Sequence, residues 1–231
     1  MAGPIALVGG DEFRPGCEMM DRAVLNATGV QHPQVLIVPT AAAHQGSSKA
    51  ASNGVDYFSG LGAGASALMV LESATANDED YLAPVDAAHL IYLTGGDPGH
   101  LLATLTGSLF LGKLKDAHQR GAILAGSSAG GMVLGSWMRF GGWTEALGIV
   151  DGVAVLPHHE GSGPDVVAKD LGEASPPGLV VLGIDAKVCC FGWEGGWHVL
   201  GAGSVTVYSQ GRWQRYERGQ VVPLDSFKHE S

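Results

Sequence analysis

The chain has 231 residues, of which 45% are hydrophobic and 16% are charged, a balance typical of a globular protein rather than a disordered one. Its net charge of -10 argues against nucleic acid as the main partner, because phosphate binding needs a basic surface. No apolar run reaches the roughly 20 residues that span a bilayer, and the first residues lack the features of a signal peptide. The three cysteines show no disulfide framework, so we expect a cytoplasmic protein that does not bind membranes.

Short apolar runs recur along the chain, and most of them end in Gly, Thr or Asp. Six of these runs are predicted strands: residues 5–10, 34–40, 66–72, 89–97, 121–130 and 179–185. Several are apolar without alternation, as is typical of strands covered on both faces. Five segments between them are compatible with helices: residues 18–27, 47–61, 98–105, 109–120 and 129–138. The alternation predicts an α/β fold with a mostly parallel central sheet and helices on both faces.

The last part of the chain changes its pattern. Residues 187–224 alternate in polarity and contain turn glycines, which predicts C-terminal antiparallel hairpins. Residues 161–164 and 173–178 are interpreted as polar loops within the same unit. We therefore predict a single domain over residues 1–231.

Polar residues and glycines follow the predicted strands. In a parallel sheet, ligands bind at the carboxyl ends of the strands. Five such ends are Gly9-Gly10-Asp11, Pro39-Thr40, Thr94-Gly95-Gly96-Asp97, Ser127-Ser128 and Asp185. The sequence therefore predicts that the chemistry lies on this side of the sheet. No cofactor is expected, because Gly9-Gly10-Asp11 is too short to be a phosphate-binding fingerprint.

The segment Gly126-Ser127-Ser128-Ala129-Gly130 fits the pattern G-x-S-x-G between a predicted strand and a predicted helix. In that context the pattern indicates a sharp turn that presents its central serine, here Ser128, as a nucleophile. The alternative is a helix N-cap made by Ser127 or Ser128. A serine hydroxyl needs a base within hydrogen-bond reach, and histidine is the usual one.

Nine histidines could supply that base, and His158 follows an apolar stretch that suits a strand end. His158, His159 and Glu160 could instead form a metal site, but no spacing typical of metal ligands supports one, and we predict none. Strand alternation allows only one of two adjacent histidines to face the serine.

Six motifs in this order resemble peptidase family S51, which contains aspartyl dipeptidases (peptidase E) and cyanophycinases. They are LVGGDEF, LIVPTAA, IYLTGGDPGHLLATLTGSLF, GAILAGSSAGGMVLGS, PHH and LVVLGID, and the resemblance runs from about Ile5 to Tyr208. The resemblance implies a glutamine-amidotransferase-like sandwich, Ser128 as nucleophile and His158 as general base. It also implies that the Gly95-Gly96-Asp97 turn, through Gly96 and Asp97, and Ala129 supply backbone N–H groups to the oxyanion.

The family pattern is broken at the acid of the triad. The late strand of the family reads G-I-D-E, and its Glu orients the histidine, whereas Gly183-Ile184-Asp185 is followed here by Ala186. We predict Asp185 as the acid, with Glu145 and Glu160 as alternatives. A Ser-His pair without an acid is also open.

The resemblance also implies basic residues that hold an acidic substrate group, often near the segment after the histidine, and this chain departs from that pattern as well. The residues after the histidine contain no Arg, and Lys169 is their single cation, so a preference for Asp-X dipeptides is not expected. The leading interpretation is a serine peptidase acting on small peptides, as a monomer or homodimer. The alternatives are an α/β-hydrolase-like esterase with His198 or His229 as its base, and a peptide-binding pseudoenzyme. A glutamine amidotransferase is not expected, because those enzymes use cysteine at the position of Ser128.

Overall fold

The structure is a computed structural model, and it describes residues 2–224. Within these residues the strands are β1 (Ile5–Val8), β2 (Gln34–Val38), β3 (Gly64–Ala67), β4 (Leu90–Leu93), β5 (Ile123–Ser127), β6 (Trp137–Arg139), β7 (Trp143–Glu145), β8 (Val153–Leu156), β9 (Val180–Ile184), β10 (Val188–Trp193), β11 (Gly196–Gly201), β12 (Ser204–Ser209), β13 (Arg212–Glu217) and β14 (Val221–Val222). The helices are α1 (Glu18–Asn26), α2 (Ser47–Gly60), α3 (Ser73–Ala76), α4 (Pro98–Leu105), α5 (Leu109–Gln119), α6 (Ala129–Leu134) and α7 (Pro164–Ala174), with short 3-10 helices at Thr40–Ala42 and Ala83–Ala87.

The largest sheet has eight strands in the order β14-β11-β10-β1-β5-β4-β2-β3. The five strands from β1 to β3 in that order pair in parallel, and β10, β11 and β14 extend the sheet as antiparallel strands. A second sheet has the order β13-β12-β9-β8, in which β8 and β9 are parallel. The predicted α/β class, with a mostly parallel central sheet and C-terminal antiparallel strands, is confirmed.

The side chains of the central sheet alternate between two cores. Leu7 of β1 and Leu124 of β5 belong to a cluster that also contains Val155 and Val205 of the second sheet, so this core lies between the two sheets. Residues of α4, α5 and α6 pack into the same cluster, among them Leu101, Phe110 and Val133. The neighbouring strand residues face a second cluster, formed with Met20 and Val24 of α1 and Phe58 of α2. Helices therefore cover both faces of the central sheet, as the sequence predicts.

Several predicted elements differ from the observed ones. Only the first two residues of the run 66–72 are in a strand, since β3 (Gly64–Ala67) ends at Ala67. The predicted helix 129–138 ends at Leu134, where Gly135 takes an extended conformation and the chain enters β6. The run 179–185 forms β9, which lies in the second sheet rather than in the central one. Helix α7 was not predicted, and residues 161–164 and 173–178 flank or overlap its two ends.

Within residues 2–224 no helix has both the length and the apolar character needed to cross a membrane.

Candidate active site

Ser128 lies in the sharp turn between β5 and α6, with φ 48° and ψ -109°. The turn is possible because the residues two positions before and after Ser128 are glycines. A Cβ added at Gly126 would lie 2.4 Å from the carbonyl carbon of Gly130, and one added at Gly130 would lie 2.3 Å from the carbonyl oxygen of Leu93. The glycines therefore let the strand, the helix and β4 meet closely, and the turn has the strained geometry of a nucleophile elbow.

The two serines of the turn have different environments. Ser127 is fully buried and donates a hydrogen bond from its hydroxyl to Oε2 of Glu12 over 2.8 Å. Ser128 is half-buried and lines a cavity. Of the two hydroxyls, only that of Ser128 is placed to meet a substrate. Neither serine makes a side-chain cap bond at the start of α6.

His158 and His159 diverge, but not through strand alternation, because β8 ends at Leu156 before both of them. His158 is exposed, has φ 51°, and donates its backbone N–H to Gly9 over 2.9 Å. Its ring lies against the Cα of Gly10, where an added Cβ would be 2.2 Å from Cε1 of the ring. His159 is buried, with Nε2 2.7 Å from the hydroxyl oxygen of Tyr208, and burial lowers the pKa of its ring.

Ser128 and His158 line the same cavity, which has a volume of about 330 Å³. The residues that line it are Asp11, Glu12, Phe13, Arg14, Ala50, Asn53, Gly95, Gly96, Ser128 and His158. The loops after β1, β4, β5 and β8 supply most of these residues, so the cavity is on the predicted side of the sheet. Among the described residues no hydrogen bond joins Ser128 to a histidine, and such bonds often form only once substrate is bound.

The predicted oxyanion donors have different positions. Gly96 has φ 142°, rests on the carbonyl oxygen of Ala41, and its N–H makes no hydrogen bond within residues 2–224. Ala129 is the first residue of α6, so its N–H has no acceptor in a preceding helical turn. The N–H of Asp97 donates to Ala41 over 2.7 Å, and its carboxylate caps α4. Gly96 and Ala129 are thus available as donors, whereas the N–H of Asp97 is already engaged.

Three carboxylates were predicted as alternative partners of His158, and the structure separates them. Oδ2 of Asp185 accepts hydrogen bonds from the N–H and hydroxyl of Ser204, and no hydrogen bond joins Asp185 to His158 among the described residues. Glu145 is exposed in β7 and is not among the cavity residues. Oε2 of Glu160 accepts a hydrogen bond from the N–H of Ala186, the position at which the family pattern has Glu.

The charge of Glu160 is coupled to the adjacent histidines. The hydrogen bond from the Ala186 N–H, together with that from its own N–H, lowers the pKa of the Glu160 carboxyl, and His158 and His159 lower it further. Glu160 is therefore held ionised beside His158. Among the described residues no hydrogen bond joins Glu160 to His158, so the connection between the two is electrostatic.

Two residues of the site were missed by the sequence analysis. Gly10 forms the seat for the ring of His158, and Glu12 binds both Ser127 and the N–H of Gly95. Both belong to the motif LVGGDEF, for which the sequence predicts a strand end on the side of the chemistry and a resemblance to the family, but no role for either residue. The available signal was that two acidic residues, Asp11 and Glu12, follow the glycines at the end of the strand.

The family model described as Peptidase family S51 matches residues 5–187. The chain belongs to peptidase family S51. Curated relatives in this family include cyanophycinases of Synechococcus elongatus and Thermosynechococcus vestitus, each 34% identical over 155 residues. The match covers 61% of this chain and 48% of each relative, so the chain spans about half the length of the curated relatives it matches.

Two solved structures have a similar fold. The crystal structure of a peptidase from an acI-B1 Actinobacterium has a TM-score of 0.84 and 28% identity, covering 96% of this chain and 97% of that one. The structure of a putative peptidase E protein from Listeria monocytogenes EGD-e has a TM-score of 0.62 and 16% identity, covering 94% of this chain and 100% of that one. The second likeness concerns the fold alone.

Proposed function

We propose that this protein is a serine peptidase that hydrolyses small peptides through Ser128 and His158. One observation carries the proposal: the strained, half-buried Ser128 and the exposed His158 line one cavity, although they come from different sheets. Membership of peptidase family S51 and the cyanophycinase relatives support a peptide bond as the target.

The proposed mechanism begins when the hydroxyl oxygen of Ser128 attacks the peptide carbonyl carbon while His158 takes the hydroxyl proton. The N–H groups of Gly96 and Ala129 donate to the resulting oxyanion, which such donors stabilise by several kcal/mol. The C–N bond then breaks, and the amine leaves with the proton from His158. Water, deprotonated by His158, hydrolyses the acyl-enzyme and regenerates Ser128.

The acid of this triad is proposed from the contacts. Asp185 was predicted, but its Oδ2 is bound to Ser204, whereas Glu160 occupies the place next to Ala186 and is electrostatically coupled to His158. We therefore favour Glu160 as the group that stabilises the imidazolium of His158. The ion pair would form only as His158 takes the proton of Ser128.

The cavity gives no basis for a strict preference for acidic substrates. Its lining residues include two carboxylates, Asp11 and Glu12, and one cation, Arg14, whose Nε lies 3.9 Å from Asp11. Lys169 is exposed on α7 and is not among the lining residues. We propose that neutral small peptides are cleaved at least as well as Asp-X dipeptides. If Asp-X dipeptides are instead cleaved much faster, Arg14 is the group that binds their carboxylate.

The esterase alternative is weaker. His198 is in β11, paired with Phe191, and is not among the residues that line the cavity. His229 lies outside the described residues.

The test is labelling with a fluorophosphonate, in which the hydroxyl of Ser128 attacks phosphorus and fluoride leaves. We expect one label on Ser128, none on the buried Ser127, and no labelling of Ser128→Ala. The same pair of proteins is screened against di- and tripeptides, where hydrolysis should disappear in Ser128→Ala. Labelling at Ser127, or unchanged hydrolysis by Ser128→Ala, would contradict the proposal.

A further inference from the structure

The carboxylate of Glu12 lies between the elbow and the glycine turn after β4. Oε2 accepts the hydroxyl of Ser127 over 2.8 Å, and Oε1 accepts the N–H of Gly95 over 2.8 Å. Both oxygens act as acceptors, which is the role of an ionised carboxylate. One side chain therefore joins two loops that belong to different strands of the central sheet.

The loop after β1 is shaped to bring Glu12 to this place. Gly10, Asp11 and Phe13 have φ values of 128°, 56° and 62°, so the backbone on both sides of Glu12 is in the left-handed region. Such conformations cost on the order of 1–3 kcal/mol each for residues other than glycine and persist only where the surroundings enforce them. Here the ring of Phe13 packs among Tyr57, Phe58 and Tyr92, with its centroid 4.9 Å from that of Tyr92.

The two contacts of Glu12 are next to the groups that carry the proposed chemistry. Gly95 precedes Gly96, one proposed oxyanion donor, and Ser127 precedes Ser128, the proposed nucleophile. Donors act only when they lie about 2.7–3.1 Å from the oxyanion, and a misplacement of about 1 Å can cost about 10²-fold in rate. The distance between the two loops thus determines whether both donors reach one oxygen.

We propose that Glu12 is a positioning residue that holds the Gly95-Gly96 turn and the Ser127-Ser128 elbow at the separation the oxyanion needs. This inference rests on the proposed function, since it concerns the same site. The inference also gives Ser127 a role, because the Ser127 hydroxyl joins the elbow to Glu12 by a hydrogen bond. Glu12 acts through its two hydrogen bonds, not through its charge.

Glutamine tests this distinction, because it can keep both contacts without the charge. Its amide oxygen can accept the N–H of Gly95, and its amide nitrogen can donate to the hydroxyl oxygen of Ser127. Glu12→Ala loses both contacts, and Ser127→Ala loses one. Glu173→Ala, which removes an exposed carboxylate from α7, is the matched control.

The measurement is fluorophosphonate labelling of Ser128 with an uncharged probe, resolved into a limiting rate and a half-saturating concentration. For Glu12→Ala we expect the limiting rate to fall about 10²-fold, with the half-saturating concentration little changed. Glu12→Gln should stay within about tenfold of the wild type, and Ser127→Ala should lose about fivefold, the equivalent of one hydrogen bond. Glu173→Ala should label like the wild type. Ser127→Ala also tests the role if Glu12→Ala does not fold.

Three results would overturn the inference. Wild-type rates in both Glu12→Ala and Ser127→Ala would show that the contacts position nothing. Equal losses in Glu12→Gln and Glu12→Ala would show that the charge matters, as it would if Glu12 bound a cationic group. An effect confined to the half-saturating concentration would indicate probe binding. Each of these leaves the proposed function intact if the wild type labels at Ser128, whereas an unreactive wild type removes both.

Discussion

The two residues proposed to carry the reaction share a backbone feature. Ser128 and His158 have φ values of 48° and 51°, in a region that residues with a Cβ rarely adopt. In each case the surrounding chain enforces the conformation: Ser128 N–H donates to Val8 and His158 N–H donates to Gly9, both over 2.9 Å. The end of β1 therefore fixes the backbone of both residues, and the strain directs their side chains into one cavity.

The adjacent histidines give a sharp comparison at this scale. We expect His158→Ala to lose hydrolysis by roughly 10⁴-fold or more, because within residues 2–224 His158 is the only histidine that lines the cavity with Ser128. His159→Ala should keep most of the activity and instead lose stability, because it leaves the buried Tyr208 hydroxyl without the partner that the structure shows. The measurements are steady-state rates on a peptide from the screen and urea unfolding. Tyr208→Phe is the control. A loss of activity in His159→Ala but not in His158→Ala would show that His159, and not His158, is the base.

Elements with strong local signals were predicted well. Helix α4 begins and ends as expected, because Asp97 caps it with its side chain and Pro98 occupies the first turn. The elbow was predicted because its glycine pattern is local to five residues. Helix α7 was missed because only Ala168 and Leu171 are buried in it, so its apolar stripe is too narrow to recognise.

The parts of the site that could not be predicted depend on distant contacts. Glu12 meets Ser127 across 115 residues of sequence, and Gly10 meets the ring of His158 only after the two sheets have packed. No periodicity or spacing in the sequence encodes such contacts. The resemblance to the family named Ser128 and His158, but the missing Glu at Ala186 left the acid to be argued from the geometry.

Because α6 lies close to β4, one methyl group added at Gly130 should strongly lower the stability of the protein. Gly130→Ala should destabilise the protein by roughly 1–3 kcal/mol, because its Cβ would meet the Leu93 carbonyl oxygen at 2.3 Å and push the helix away. Gly112→Ala in α5 is the control, since nothing lies within 4 Å of its added Cβ, and it should stabilise by about 0.5–1 kcal/mol. Urea unfolding measures both. Equal stabilities of the two variants would show that α6 tolerates the displacement.

At the scale of the whole molecule, Asp21 is the one buried carboxyl within residues 2–224, and it links the stability of the protein to pH. Asp21 is 2% exposed, and its Oδ2 accepts a hydrogen bond from the hydroxyl of Tyr57 over 2.8 Å. Burial raises the pKa of this carboxyl to about 7, in spite of the hydrogen bond from Tyr57. The folded protein therefore keeps a proton that the unfolded chain releases near pH 4.

The sign of the pH effect follows from that proton. Between pH 4 and pH 7 the folded state binds more protons at Asp21 than the unfolded state, so the free energy of unfolding falls as pH rises, by up to roughly 1.4 kcal/mol for each unit of pKa difference. We expect the wild type to lose stability relative to Asp21→Asn between pH 5 and pH 8. Urea unfolding at each pH measures this, with the exposed Asp56→Asn as control. A constant difference between wild type and Asp21→Asn would contradict the assignment.

The placement of Ser128 on the central sheet and His158 on the second sheet has a consequence for how the protein is made. Until the core between the sheets has formed, a newly synthesised chain holds its serine and its histidine apart, and the ring of His158 has no seat on Gly10. If Ser128 and His158 carry the proposed reaction, a half-folded chain is therefore inactive. Hydrolysis then begins only when the two sheets have packed and most of the chain's own peptide bonds are already buried.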